Sequence, residues 1–140
     1  MIDTIKVQLD DEAIMPVRAY AWDAGIDILT PYFFKLEAGS SFVIDSGVHV
    51  EIPAGYVGLL KSKSGLNVWN GILSEGVIDA GYEGSIRVKL YNHSENDYTF
   101  QRGDKITQLL IMPVETPVLK QVDKIKGSER GDNGFGSTGR

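Results

Sequence analysis

Cysteine is absent from this 140-residue chain, and histidine occurs only at His49 and His93. The first absence excludes a disulfide framework, thiolate chemistry and any Cys-ligated zinc or iron–sulfur centre. The second leaves a His-built zinc site or a Ser-His-Asp triad dependent on one of two isolated imidazoles, which disfavours both. Positive charge is in deficit. Lys and Arg number 14 against 19 Asp and Glu, a net charge of −5, and such a balance repels duplex phosphate on average. Long apolar runs are missing as well. The longest, Leu109 to Val114, is far too short to span a bilayer, and Met1 to Asp11 carries Asp and Lys in place of a signal-peptide core. These absences lead us to expect a cytoplasmic protein that binds neither nucleic acid nor membrane.

No window keeps a 3.6-residue apolar period for long. Instead, 16 glycines and five prolines punctuate short β-type segments. Ile5 to Leu9 alternates apolar and polar residues, and Ser85 to Tyr91 places Ile86, Val88 and Leu90 on one face. Phe42 to Val50, Val57 to Leu60, Lys105 to Met112 and Pro117 to Val122 are further candidate strands. One short helix is expected from Ser64, whose hydroxyl can cap it, to about Asn70. Many short strands with frequent turns predict an all-β sandwich, jelly roll or barrel. A single β domain over residues 1–126 is expected to end in a mobile Gly-rich arm over 127–140. Phe135 is the only large apolar residue in that arm, and burial of one ring cannot offset about 10 kcal/mol for fixing ten backbone residues.

Five stretches carry potential chemistry. In the arm, Gly134-Phe135-Gly136-Ser137-Thr138-Gly139 sets backbone N–H groups and two hydroxyls where they can converge on an anion. Arg130 adds a fork suited to phosphate, and Phe135 a face to stack on a base. Taken alone, the stretch reads equally as a flexible linker. Lys63-Ser64-Gly65-Leu66 can offer an anion an opening helix with a lysine beside it, or be a plain capped helix. Gly76-Val77-Ile78-Asp79-Ala80-Gly81-Tyr82 reads as two β arms joined by a Gly-rich turn. Its backbone can pair with a pyrimidine edge, Asp79 can act as a general base and Tyr82 can lie against a sugar; a turn Asp and a core Tyr are the plainer alternatives. Asp27 and Gln108 complete the candidates. The first is a possible Mg²⁺ carboxylate acting directly or through water, or else a solvent-facing strand Asp. The second is a possible phosphate donor, or a polar strand residue.

Taken in order, these stretches resemble the five motifs of the trimeric dUTPase family. Ala24 to Ile28 resembles the first, Lys63 to Leu66 the second, Gly76 to Tyr82 the third, Arg102 to Leu109 the fourth and Arg130 to Gly139 the fifth. The likeness runs from about residue 20 to the C-terminus, and the third and fifth motifs are the most specific. The resemblance implies a distorted jelly-roll (β-clip) subunit, a homotrimer with active sites between subunits, and a C-terminal arm that closes a neighbour's site. It implies that Asp79 orients the water attacking the α-phosphorus of dUTP, and that Tyr82 packs under the deoxyribose. Backbone groups of Gly76, Val77 and Ile78 would read uracil. Lys63, Ser64, Gly65 and Gln108 would meet the phosphates. Arg130, Gly136, Ser137 and Thr138 would clamp their far end, Phe135 would cap the base, and Asp27 would help hold Mg²⁺.

Two positions depart from the family pattern. Ser62-Lys63 stands where the family has Pro-Arg, so the bidentate fork is lost. Gly81 stands where a second acidic residue often follows the catalytic Asp. The related dCTP deaminases have a catalytic glutamate in the strand after the hairpin; the matching position here is Lys89, which leaves no carboxylate to shuttle protons. A purely nucleotide-binding regulatory module of phage type is the rival from another class. Such a module should have lost the base or the arm, and both are present.

Overall fold

A computed structural model of the chain describes residues 2–139. Among them are ten strands and one helix: β1 (Val7–Leu9), β2 (Ile26–Leu29), β3 (Phe34–Leu36), β4 (Ser41–Asp45), β5 (Val48–Val50), β6 (Tyr56–Lys61), α1 (Ser64–Asn70), β7 (Ile72–Ile78), β8 (Arg87–Asn92), β9 (Tyr98–Phe100) and β10 (Lys105–Pro113). A six-stranded sheet runs β2-β10-β6-β7-β8-β4, and the pairs β1-β5 and β3-β9 form two small sheets. All pairings are antiparallel. The all-β fold with a single short helix is as expected.

Period-2 patterning positions the core. In β8, Val88 and Leu90 point inward while Arg87 and Lys89 point out, and Ile86, Val88 and Leu90 are fully buried together with Ile28, Ile44 and Ile106. Phe34 stacks between Phe42 and Phe100, with ring centroids 5.0 and 4.7 Å away, and so ties the small β3-β9 sheet to β4.

Three local expectations need correction. The predicted strand over 42–50 is two strands, because Ser46 turns away from the sheet: its backbone N–H and its hydroxyl both donate to the Ile86 carbonyl, at 3.0 and 2.6 Å. The helix has the predicted span, but extended Lys63 occupies the cap position and no side chain caps it, so Ser64 is the first helical residue and not the cap. No strand forms over Pro117 to Val122. The Val114 N–H still bonds the Gly55 carbonyl at 2.9 Å, but beyond it Val118 and Leu119 lie in the open. The exposed extension therefore starts about a dozen residues before the Gly-rich segment.

Candidate active site

β7 and β8 begin as neighbours and then part. Their ladder holds the pairs Ile72–Asn92, Leu73–Tyr91 and Ser74–Leu90, whereas β7 stays on β6 as far as Ile78–Gly58 and β8 stays on β4 as far as Arg87–Asp45. The cause lies on the outgoing arm. The Ile86 N–H donates to the Val48 carbonyl at 2.8 Å, and the Ser85 hydroxyl donates to Asp45 at 2.7 Å, which draws residues 85 and 86 toward β4 and β5. That hydroxyl, followed by the Gly47 N–H, holds the Asp45 carboxyl below its ordinary pKa. The inner backbone edge of Gly76, Val77 and Ile78 is left without a ladder partner, and amide edges left so seek a substitute.

The fork closes in a tight turn. The Tyr82 N–H donates to the Asp79 carbonyl at 3.1 Å, and Gly81 has φ +85°, the third-position geometry of a type II turn. This accounts for glycine where the family often has an acid. Asp79 is exposed. The Tyr82 ring folds back over Gly84, where an added Cβ would lie 2.3 Å from the phenolic oxygen, and its hydroxyl donates to the Ser85 carbonyl at 2.9 Å.

A second cluster sits at the far end of the same strands. Asp27 on β2 lies opposite Gln108 on β10, which lies opposite Lys61 on β6. Asp27 is buried; its Oδ1 accepts from Lys63 Nζ at 2.5 Å, and its Oδ2 forms an ion pair with Lys105 Nζ at 3.1 Å. Gln108 donates through Nε2 to the Ser62 carbonyl at 2.9 Å; its Oε1 lies 2.0 Å from where a Cβ on Gly25 would be, so only glycine fits there. Ser62 has a role that proline cannot fill: its hydroxyl accepts from the Ser74 N–H at 2.9 Å. Ser74 and Thr107 share a hydrogen bond of 2.7 Å beneath it. Lys105, Ser62, Ser74 and Thr107 are missed by sequence reading, since only the register across four strands unites them.

The residues present do not fit a direct magnesium site. Asp27 is buried and not solvent-facing, and its two oxygens are paired with ammonium groups. Among the described residues no three Asp, Glu, His or Cys side chains gather where they could hold a metal.

The arm stands apart from both clusters. Arg130 Nε donates to the Asn133 carbonyl at 2.8 Å, and the Ser137 N–H donates to the Gly134 carbonyl at 3.1 Å. These bonds are local, and Phe135 is fully exposed. One chain does not bring the candidate residues together. Lys61 opposes Glu75 and Gly58 opposes Ile78, so Asp79 lies about 13 Å along the strands from the end that carries Lys63 and Asp27.

A forked hairpin offering a backbone edge, a carboxylate exposed at its turn and a distant ammonium cluster are the features that the class of proteins binding a ligand with a planar head and an anionic tail would need. Comparison with known proteins gives this class a family. Residues 11–139 match the dUTPase family, and the chain belongs to it. The deoxyuridine 5'-triphosphate nucleotidohydrolase of Clostridium acetobutylicum is 36% identical, with 99% of this chain and 98% of that protein aligned. The protein of the same description from Mycolicibacterium gilvum is 39% identical over 95% of this chain and 92% of its own length. Among solved structures, the Staphylococcus bacteriophage 80alpha dUTPase with dUPNHPP superposes with a TM-score of 0.92 at 36% identity, covering 99% and 100% of the two chains. A point mutant of the dUTPase from phage phi11 of S. aureus, which coordinates a structural Mg(II) ion, superposes at 0.82 with 33% identity over 89% and 100%. No helix among the described residues is long and apolar enough to cross a membrane.

Proposed function

We propose that this chain hydrolyses dUTP to dUMP and pyrophosphate, with Asp79 as the base that orients the attacking water. The observation that carries the reading is the fork itself. The partnerless edge of Gly76, Val77 and Ile78 leads directly into an exposed carboxylate and the Tyr82 ring, so a base held by the edge sets its sugar and α-phosphate beside that carboxylate. Asp79 takes a proton from water as the oxygen bonds to the α-phosphorus, and the α–β bridging oxygen leaves with pyrophosphate. Tyr82 under the deoxyribose leaves no room for a 2′-hydroxyl. Lys63, Ser64, Gly65 and Gln108, joined by Lys105, meet the phosphates. Arg130, Gly136, Ser137 and Thr138 clamp their far end, and Phe135 closes over the base and excludes water. Magnesium on the triphosphate would supply charge neutralisation there.

The separation of the turn from the ammonium cluster supports a site shared between copies, and we assign a homotrimer whose extensions cross to a neighbour. The activity removes a source of uracil in DNA and supplies dUMP for dTMP synthesis. Deamination of dCTP is disfavoured: Lys89, where a deaminase would carry its glutamate, is exposed on β8 with its ammonium 5.2 Å from the Tyr91 ring centre. The test is pyrophosphate release from dUTP beside UTP, dTTP and dCTP, with and without Mg²⁺. Selective release from dUTP is expected; ammonia from dCTP, or no release at all, refutes the reading.

A further inference from the structure

One ionisable side chain touches the hairpin from behind and has no part in the chemistry described above. His49 lies on β5 opposite Gln8 of β1, with its side chain only 21% exposed. Its Nδ1 is 2.7 Å from the Glu83 carbonyl, and its Nε2 is 2.9 Å from Asp10 Oδ1. Both partners are acceptors, so both contacts are hydrogen bonds only when both ring nitrogens carry hydrogen, that is, when the ring is an imidazolium. Asp10 is itself fixed, its backbone N–H donating to the Gly47 carbonyl at 2.9 Å. Glu83 follows Tyr82 directly and lies four residues from Asp79.

We propose that His49 is a positioning residue for this hairpin, bracing the arm that carries Asp79 and Tyr82 against Asp10. The assignment rests on the hydrolase reading above. Without the brace, Ser85 and Ile86 still anchor the arm's base, but no other hydrogen bond among the described residues joins its outer half to β1 or β5. The Tyr82 hydroxyl reaches only Ser85, inside the same loop.

The brace depends on charge. A neutral imidazole has one N–H, so in either tautomer one of its two acceptors faces a lone pair. The Glu83 carbonyl, then Asp10, raise the His49 pKa above its ordinary value of 6.5. The brace is therefore complete below that ordinary value and is lost as pH rises through the elevated one. The charged and titratable neighbours are few. Asp45 on β4 adds a favourable field and has Arg87 at 3.9 Å. Lys6 and Glu51 pair with each other at 3.4 Å. With His49, Tyr82 and Glu83 these two line a groove of about 900 Å³ behind the hairpin.

The experiment uses full-length protein, with kcat and KM for dUTP measured from pH 6 to 10. The His49 ring is followed by NMR, and amide exchange is followed across Ala80–Gly84 without nucleotide. In the wild type, kcat should fall as pH rises through the His49 titration, above the ordinary value of 6.5. Asp10→Asn should move both the kcat limb and the titration to lower pH together. His49→Phe should abolish that limb, lower kcat about tenfold with a smaller change in KM, since small misplacements of a reacting group are costly, and speed exchange of the hairpin amides. Wild-type kinetics and pH profile in His49→Phe overturn the proposal. If that variant does not fold, Asp10→Asn decides alone: an alkaline limb that stays put while the imidazole titration shifts overturns it. A wild type that releases no pyrophosphate from dUTP ends the hydrolase reading instead, and the exchange rates then decide separately whether His49 holds the hairpin.

Discussion

The two carboxylates singled out from the sequence, Asp79 and Asp27, have opposite environments, and mutation should separate them. Asp79 is exposed at a turn, so Asp79→Asn removes a base without disturbing packing. We expect turnover of dUTP to fall by about 10²–10⁴ while binding of a non-hydrolysable analogue persists; steady-state kinetics and calorimetry measure the two. Asp27 is buried between two ammonium groups. Asp27→Asn leaves Lys63 and Lys105 facing each other without an anion. We expect a loss of about 1–2 kcal/mol in a denaturant melt, less than for a sealed pair because both lysines reach solvent, together with a raised KM. The residue types were legible in the sequence. The second role was not, because Lys105 meets Asp27 through pairing of β10 with β2 across about 80 residues of chain, which local spacing does not encode.

Elements were legible where the pattern is local and strong. Ser85 to Tyr91 alternates and forms β8 one or two residues along; Ser64 to Asn70 is the helix. They were illegible where tertiary contacts impose the shape. The three-residue strands β3 and β9 have too few positions to show a period, and the break at Ser46 follows from a bond to Ile86 forty residues away. The fork between β7 and β8 belongs to the same class, since the bonds to Val48 and Asp45 pull its arms apart. Its turn yields a prediction of its own. Gly81 has φ +85° and nothing near its missing Cβ, so Gly81→Ala meets no clash and only backbone strain. The expected cost is about 1 kcal/mol, read from thermal melts. Activity should fall alongside, because an alanine relaxing the turn moves Asp79.

At the scale of the molecule, the Gly-rich tail was readable as unable to order itself, but the place where the chain leaves the body was not. Pro117 to Val122 looks like a strand because it has strand composition, and no strand in its own subunit receives it. Val118, Leu119 and Ile125 are 95%, 93% and 83% exposed, and each would contribute roughly 1.5–3 kcal/mol if buried. In the proposed assembly, a second copy supplies the surface that covers these side chains. Two truncations distinguish the segments. Deleting 127–140 removes the proposed phosphate clamp and base cap but none of these apolar side chains, so light scattering should still find a trimer, with little dUTP turnover. Deleting 115–140 removes the apolar contacts as well, and the trimer should then dissociate at protein concentrations where the shorter truncation holds together. A trimer equally stable in both truncations would show that the extension contributes nothing to assembly, and the separation of Asp79 from the ammonium cluster would then have to be bridged by another face of the β domain.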